Sequence, residues 1–284
     1  MNADADLLLV HDGSLPGFLC AVCEFFNGFA SDPGRTSSRV IGPGAEPALF
    51  EATVAVPRDD GRAARFWSRF RSRLGDEIST KVLRAFFSDI DGVDSSLARI
   101  MARLWAEGQS ALDELGDSDA LLVEKASARH SRETHRMLGL VRFRELADKS
   151  LLALIEPDCD VLAFVAPHFA ARLPGLRWAI RDLRRGKAAV HEPGAGWRLG
   201  VWSAPDSGGE VPAGEAGPDS LPLSADEMRI EDYWRGYFKA VAIRERENLA
   251  LQASFMPKKY RKHLTEMDID SGRPIPRHRD DQSS

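Results

Sequence analysis

The sequence predicts an α+β fold: an antiparallel sheet with packed helices and a helical central block. Three observations carry this. Past Met137, short apolar runs alternate with turn formers; from Arg62 to about Arg136, apolar residues recur at helical spacing; and a capped helical stretch opens at Ser224. With 284 residues, 43% of them hydrophobic, the chain is long enough to bury a substantial core.

In chain order, "DLLLVHDGS" reads as a short buried strand turning at Asp12-Gly13, after which Ser14 caps a helix with Pro16 in its first turn. Phe18, Leu19, Val22, Phe25, Phe26 and Phe29 give that helix a wide apolar face. "SDPGRTSSRVIGPGAEP" is dense in turn formers and is expected to be a loop, with a strand at "LFEATVAVP" behind it. Phe66, Phe70 and Leu74, then Val82 and Phe86, then Leu97, Ile100 and Leu104 mark the helical block, broken at "LGD", "DIDGVD" and "LGDSD".

"LGLVRFREL" and "SLLALIEP" then read as two strands joined at Ala147-Asp148-Lys149, and "DVLAFVAPHFAARL" as a helix. "RWAIRDL", "KAAVHE" and "WRLGVW" read as three more strands, separated by Arg185-Gly186 and "PGAG". Residues 203–222 are nearly all Gly, Pro, Ser, Ala and acid, the composition of a flexible linker. Beyond it Ser224, with Glu227 at the capping-box position, opens a long helix whose expected apolar stripe is Ile230, Trp234, Phe238 and Val241, continuing at Leu249. The organisation expected is one domain over 1–202 and 223–268 with a helical insert at about 62–136, and a disordered tail over 269–284.

The charge balance, 38 basic against 43 acidic residues, excludes a protein coated in positive charge, so any nucleic-acid contact has to be local. No apolar run approaches the roughly 20 residues a membrane span needs, and "DLLLV" lacks the flanking cations of a signal peptide. Three cysteines make no disulfide framework, so a reducing cytoplasm is the expected compartment. Cys20 and Cys23 form a lone CxxC without a second ligand pair at similar spacing; two small buried hydrophobes are expected there, with no metal and no cofactor.

His130 and His135 lie about 140° apart on a helix, too far to share a metal. Flanked by Arg129, Arg132 and Arg136, they suit either a basic helix end facing phosphate or a surface helix with Glu124 and Glu133 as counterions. Glu156, Asp158 and Asp160 sit between a strand and a helix, where Asp158 or Asp160 would cap; as a trio with His168 they are also the candidate catalytic or cation-holding set. His168 itself is a packing histidine or a catalytic one.

The strongest electrostatic feature lies between Arg244 and His263, with six Lys/Arg against two acids. Arg244 and Arg246 precede "FMPKKYRKHL", in which Pro257 opens a new helix, Tyr260, Leu264 and Met267 share one face, and Lys258, Lys259, Arg261 and Lys262 cover the others. These cations are the candidate phosphate contacts, with Arg142 or Arg144 added from the first strand of the sheet. Tyr260 or Trp234 would be the base-stacking candidates, or core residues at such spacing. A solvated face is the alternative.

Four words, "DGSLPGFLCAVCEFF", "HRMLGLVRFREL", "IEPDCDVLAFVAPHFAARLPGLRWAIRDLRRGKAAV" and "YWRGYFKAVAIRERENLALQASFMPKKYRKHLTEM", together resemble a bacterial DNA-metabolism family, DUF4130. The resemblance implies DNA repair or modification beside a radical-SAM protein partner, with a uracil-DNA glycosylase-like protein as a further partner, because the same domain is fused to one in some members. The family's own chemistry is unassigned. This chain has no GxDPYH-like loop, no late HPS-type loop and no CxxxCxxC cluster motif, so it is similar to the stand-alone form, and iron–sulfur chemistry would belong to the partner. An aromatic usually stands where Cys23 is found here. The function expected is DNA binding in concert with the radical-SAM protein. The alternatives are an enzyme acting on a nucleotide or damaged base through the acidic/His set, and a non-catalytic protein-interaction subunit.

Overall fold

A computed structural model describes residues 7–31, 38–44, 52–114, 116–202, 222–231, 233, 260 and 264. The fold is α+β. The chain divides into two compact units, residues 1–132 with 158–160, and residues 133–157 with 161–284. The helical block expected over 62–136 thus falls mainly in the unit that holds the N-terminal strands.

The first unit is built on three parallel strands in the order β2-β1-β3: β1 (Leu7–Val10), β2 (Arg39–Ile41) and β3 (Ala52–Ala55). Leu8 and Leu9 are buried in the central strand. At its end the Asp12 carboxylate accepts the Ser14 N–H at 2.9 Å and Ser14 Oγ accepts the Gly17 N–H at 3.1 Å, capping helix α1 (Leu15–Ser31) as expected. His11 accepts the Gly13 N–H on Nδ1, so Nε2 carries the proton and donates to Asp94 Oδ2 at 3.1 Å. With its ring also packed against Phe18, this histidine is a satisfied core group.

Residues 39–41, placed in a loop by their turn-rich surroundings, instead form β2. Their outer edge is closed by a side chain: Ser95 Oγ accepts the Val40 N–H at 3.1 Å and donates to the Val40 carbonyl at 2.7 Å. A serine on a helix thus stands where another strand would pair. Ser95→Ala strips both partners from Val40 and is expected to cost about 1–3 kcal/mol in denaturant unfolding; unchanged stability would show the strand edge to be satisfied otherwise.

Helix α2 (Asp60–Phe86) starts at Asp59, whose carboxylate accepts the Arg62 N–H. It bends at Gly75, where φ is 83°, a conformation that a side chain would strain. The "LGD" break is therefore present as expected: two helical segments meet at Gly75, whose φ of 83° and ψ of 172° are both non-helical. Helix α3 (Val93–Glu107) starts after Gly92 and stops at Gly108, and α4 runs from Ser118 to Leu140. Phe18, Phe70, Leu97, Ile100 and Leu104 centre the core between them. Burial pushes the Asp119 carboxyl up, but hydrogen bonds from Arg99 and Ser96 outweigh it and hold the group below the ordinary carboxylate range.

The second unit carries a five-stranded sheet in sequence order: β4 (Arg144–Glu145), β5 (Leu151–Ile155), β6 (Trp178–Asp182), β7 (Lys187–Glu192) and β8 (Gly196–Val201). Three of its four pairings are antiparallel; β5 and β6 run parallel, joined by the crossover helix α5 (Leu162–Arg172). The strand expected over "LGLVRFREL" shrinks to two residues because α4 continues to Leu140. Glu133, Met137 and Val141 are buried at helical spacing, and this stripe overrides the β-propensity of the segment. Along β6, Trp178, Ile180 and Asp182 alternate inward. Trp178 stacks on His191 with 5.1 Å between ring centroids, and Phe143 packs edge-on against it. Asp182, fully buried, accepts the N–H groups of Arg184 and Arg185 and the Arg185 guanidinium at 2.8 Å, closing the β6–β7 turn.

Ser224 caps the helix over 225–231, its Oγ accepting the Glu227 N–H at 3.0 Å. Ile230, expected on the apolar stripe, is 59% exposed; the buried side is set by Ser224 and Glu231, seven residues apart. The rest of this helix with Trp234, the linker up to residue 221 and the tail over 269–284 lie outside the described residues. Among the described residues, no helix is long and apolar enough to cross a membrane.

Candidate nucleic-acid interface

Helix α4 separates its residues by phase. Val123, Ala126, His130, Glu133 and Met137 are buried, whereas His135, Arg136 and Gly139 are exposed. The two histidines of "ARHSRETHRM" therefore have different environments. His130 donates from Nε2 to the Asp160 carbonyl at 3.0 Å in the interior, and His135 faces solvent. At the helix C-terminus Arg142 Nη1 donates to the Gly139 carbonyl at 2.7 Å, placing its charge on the negative end of the helix. Arg144, the other arginine expected to reach phosphate from this region, is held by the buried carboxylate of Glu231 at 2.5 Å.

Asp160 is buried and its N–H donates to the Phe87 carbonyl at 2.9 Å. Asp158 lies 3.9 Å from the Arg129 guanidinium. Both belong to the first unit; Glu156, half-buried, belongs to the second. Helix α5 has Val161 as its N-cap residue, which makes no side-chain hydrogen bond. His168 follows Pro167 within α5, is exposed, and touches Phe169 edge-on. Cys20 sits between the Asp59 N–H and carbonyl, its sulfur 3.3 Å from each, and burial pushes the Cys23 thiol up, away from the thiolate that redox or metal chemistry needs. Among the described residues, no group of three His, Cys, Asp or Glu could hold a metal ion.

What the second unit does assemble is a link between two cationic words 127 residues apart. Tyr260 donates its hydroxyl hydrogen bond to Glu133 Oε1 on the inner side of α4, and each residue is 4% exposed. Leu264, four residues further on, is 1% exposed. Tyr260 is therefore an anchor, which corrects the stacking role: a ring this buried cannot receive a base. Two residues beyond Glu133, α4 exposes His135 and Arg136. Lys258, Lys259, Arg261, Lys262, Arg244 and Arg246 lie outside the described residues, but the anchor in their midst is fixed beside α4. Neither word announced the other in the sequence; the available signal was a tyrosine at helical spacing from Leu264, without any mark of its partner.

A family model described as a domain of unknown function, DUF4130, matches residues 91–266. The chain belongs to the DUF4130 family. No curated protein and no solved structure matches it. The DUF4130 match takes in α3, α4, the whole five-stranded sheet and the Tyr260–Glu133 link, and begins after the three parallel strands.

Proposed function

We propose that this DUF4130 chain is a DNA-binding component of DNA repair or modification that acts together with a radical-SAM protein in the cytoplasm. The observation that carries the reading is the Tyr260–Glu133 link, which ties the cationic word "KKYRKHL" to the helix that exposes His135 and Arg136. A buried anchor with cations on either side in sequence suits a surface that meets a run of phosphates, as it commits the apolar ring inward. The radical-SAM partner comes from the family resemblance.

The test is duplex affinity as a function of salt. If Lys258, Lys259, Arg261 and Lys262 each take one phosphate, log K should fall with log salt at a slope of about −3 to −4. A slope near zero, or no binding at low salt, removes the DNA reading and leaves a protein-interaction subunit. Capture of the radical-SAM protein with and without DNA then decides whether the partner docks directly or through the nucleic acid.

A further inference from the structure

Helix α2 carries a second cationic surface, in the first unit and ahead of the residue at which the DUF4130 match begins. From Gly61 to Gly75 it holds five arginines and no acid, in a chain whose formal net charge is −5. Its inner side is apolar: Ala63 and Phe70 are buried in the core, and Phe66 and Trp67 pack against it. Two of the arginines are neutralised, Arg62 by Glu24 at 2.6 Å and Arg71 by Asp76. Arg65, Arg69 and Arg73 are exposed, and none of them has an acidic partner among the described residues. Arg73 also lies over the Trp105 ring, 4.9 Å from its centroid, a contact that leaves its charge in place.

The three stand four residues apart on an uninterrupted α-helical stretch, since the non-helical residue, Gly75, comes after them. Each step of four rises about 6 Å and turns by only about 40°, so the row keeps to one face. Ser68 and Ser72, both exposed, fall within about 60° of Arg65 on that face.

We propose that this row binds the sugar–phosphate backbone of a DNA duplex, as a second phosphate-contacting surface of the chain. It takes its ligand class from the proposed DNA-binding role and its location from α2 alone. Like charges four residues apart destabilise a helix, so two such steps in succession cost the free protein stability that a polyanion restores. All three cations are arginines, whose planar forks pair with phosphate through two hydrogen bonds, and the serine hydroxyls add neutral donors for the same oxygens. No large apolar side chain of α2 is exposed, which separates this face from one that inserts into a bilayer.

The test is binding of the full chain to a fluorescently labelled, mixed-sequence duplex across a range of salt concentrations. Three phosphate contacts account for about 2.7 in the slope of log K against log salt, so Arg65→Gln/Arg69→Gln/Arg73→Gln is expected to flatten it by about 2 to 3 units. Gln is close to Arg in helix propensity, so α2 is retained. Arg65→Gln/Arg69→Gln leaves the Trp105 contact alone and is expected to flatten the slope by just under 2 units, with the thermal midpoint unchanged. The inference is overturned if both variants keep the wild-type slope. The variant lacking the charges of Lys258, Lys259, Arg261 and Lys262 then separates the two ideas: if it flattens the slope, the C-terminal reading stands without α2. Flattening by the α2 variants alone supports the row and removes the C-terminal cluster as the phosphate surface. No duplex binding by the wild type at low salt removes both. Sedimentation with phosphatidylserine vesicles that the triple variant abolishes, beside unchanged duplex binding, would assign the row to an anionic membrane and overturn the proposal.

Discussion

Replacing Lys258, Lys259, Arg261 and Lys262 together by Gln is expected to flatten the dependence of log K on log salt by about 3 to 4 units. Each cation that neutralises a phosphate releases counterions, and Gln, similar in length but uncharged, releases none. Between about 50 and 200 mM salt this corresponds to roughly a hundredfold difference in how steeply wild type and variant lose affinity. The loss should be equal across DNA sequences, since phosphate contacts carry no base information. The fold should survive, because the residue that anchors the segment, Tyr260, is untouched. A variant that binds like wild type at every salt concentration would make the cluster a solvated face or a protein-docking surface, and the radical-SAM protein would be the next ligand to test.

Tyr260→Ala should lower stability by about 3–5 kcal/mol, more than Ser95→Ala, because it deletes a ring that is 4% exposed together with the hydroxyl that Glu133 receives. Tyr260→Phe keeps the ring and removes one donor from a buried carboxylate, at a cost of about 1–3 kcal/mol. The pair distinguishes an anchor from a stacking platform. An anchor predicts that DNA affinity falls with stability in the Ala variant, although no charge has been removed, and that the salt slope falls with it. A platform predicts that affinity falls while the unfolding midpoint stays put.

Much of the architecture was legible because it is local. The Ser14 and Ser224 caps, the turns at Gly186 and Gly194, the helix α5 and strands β5 to β8 each depend on residues within about ten positions of one another. The misread elements share the opposite property. Arg39–Ile41 is a strand because Leu8 to Val10 lie beside it and Ser95 closes its edge, and neither neighbour is close in sequence. β5 and β6 pair in parallel across α5, a choice made by the crossover and not by either strand's composition. Ile230 turns outward because Glu231 is drawn in to Arg144.

The same division governs function. Residue types and spacing determined that cations surround Tyr260 in sequence, and that His130 and His135 lie about 140° apart on a helix, which disfavours a shared metal. Only the tertiary structure decided that Tyr260 meets Glu133 on α4, that the His130 ring meets the Asp160 carbonyl, and that Leu152, Ala179, Val190 and Trp202 line an open cavity. The physical reason is that helical phase and capping arise from short-range geometry repeated along the chain, whereas a buried hydroxyl–carboxylate bond across 127 positions exists because each partner would be costly to bury alone, a condition that no single stretch of sequence records.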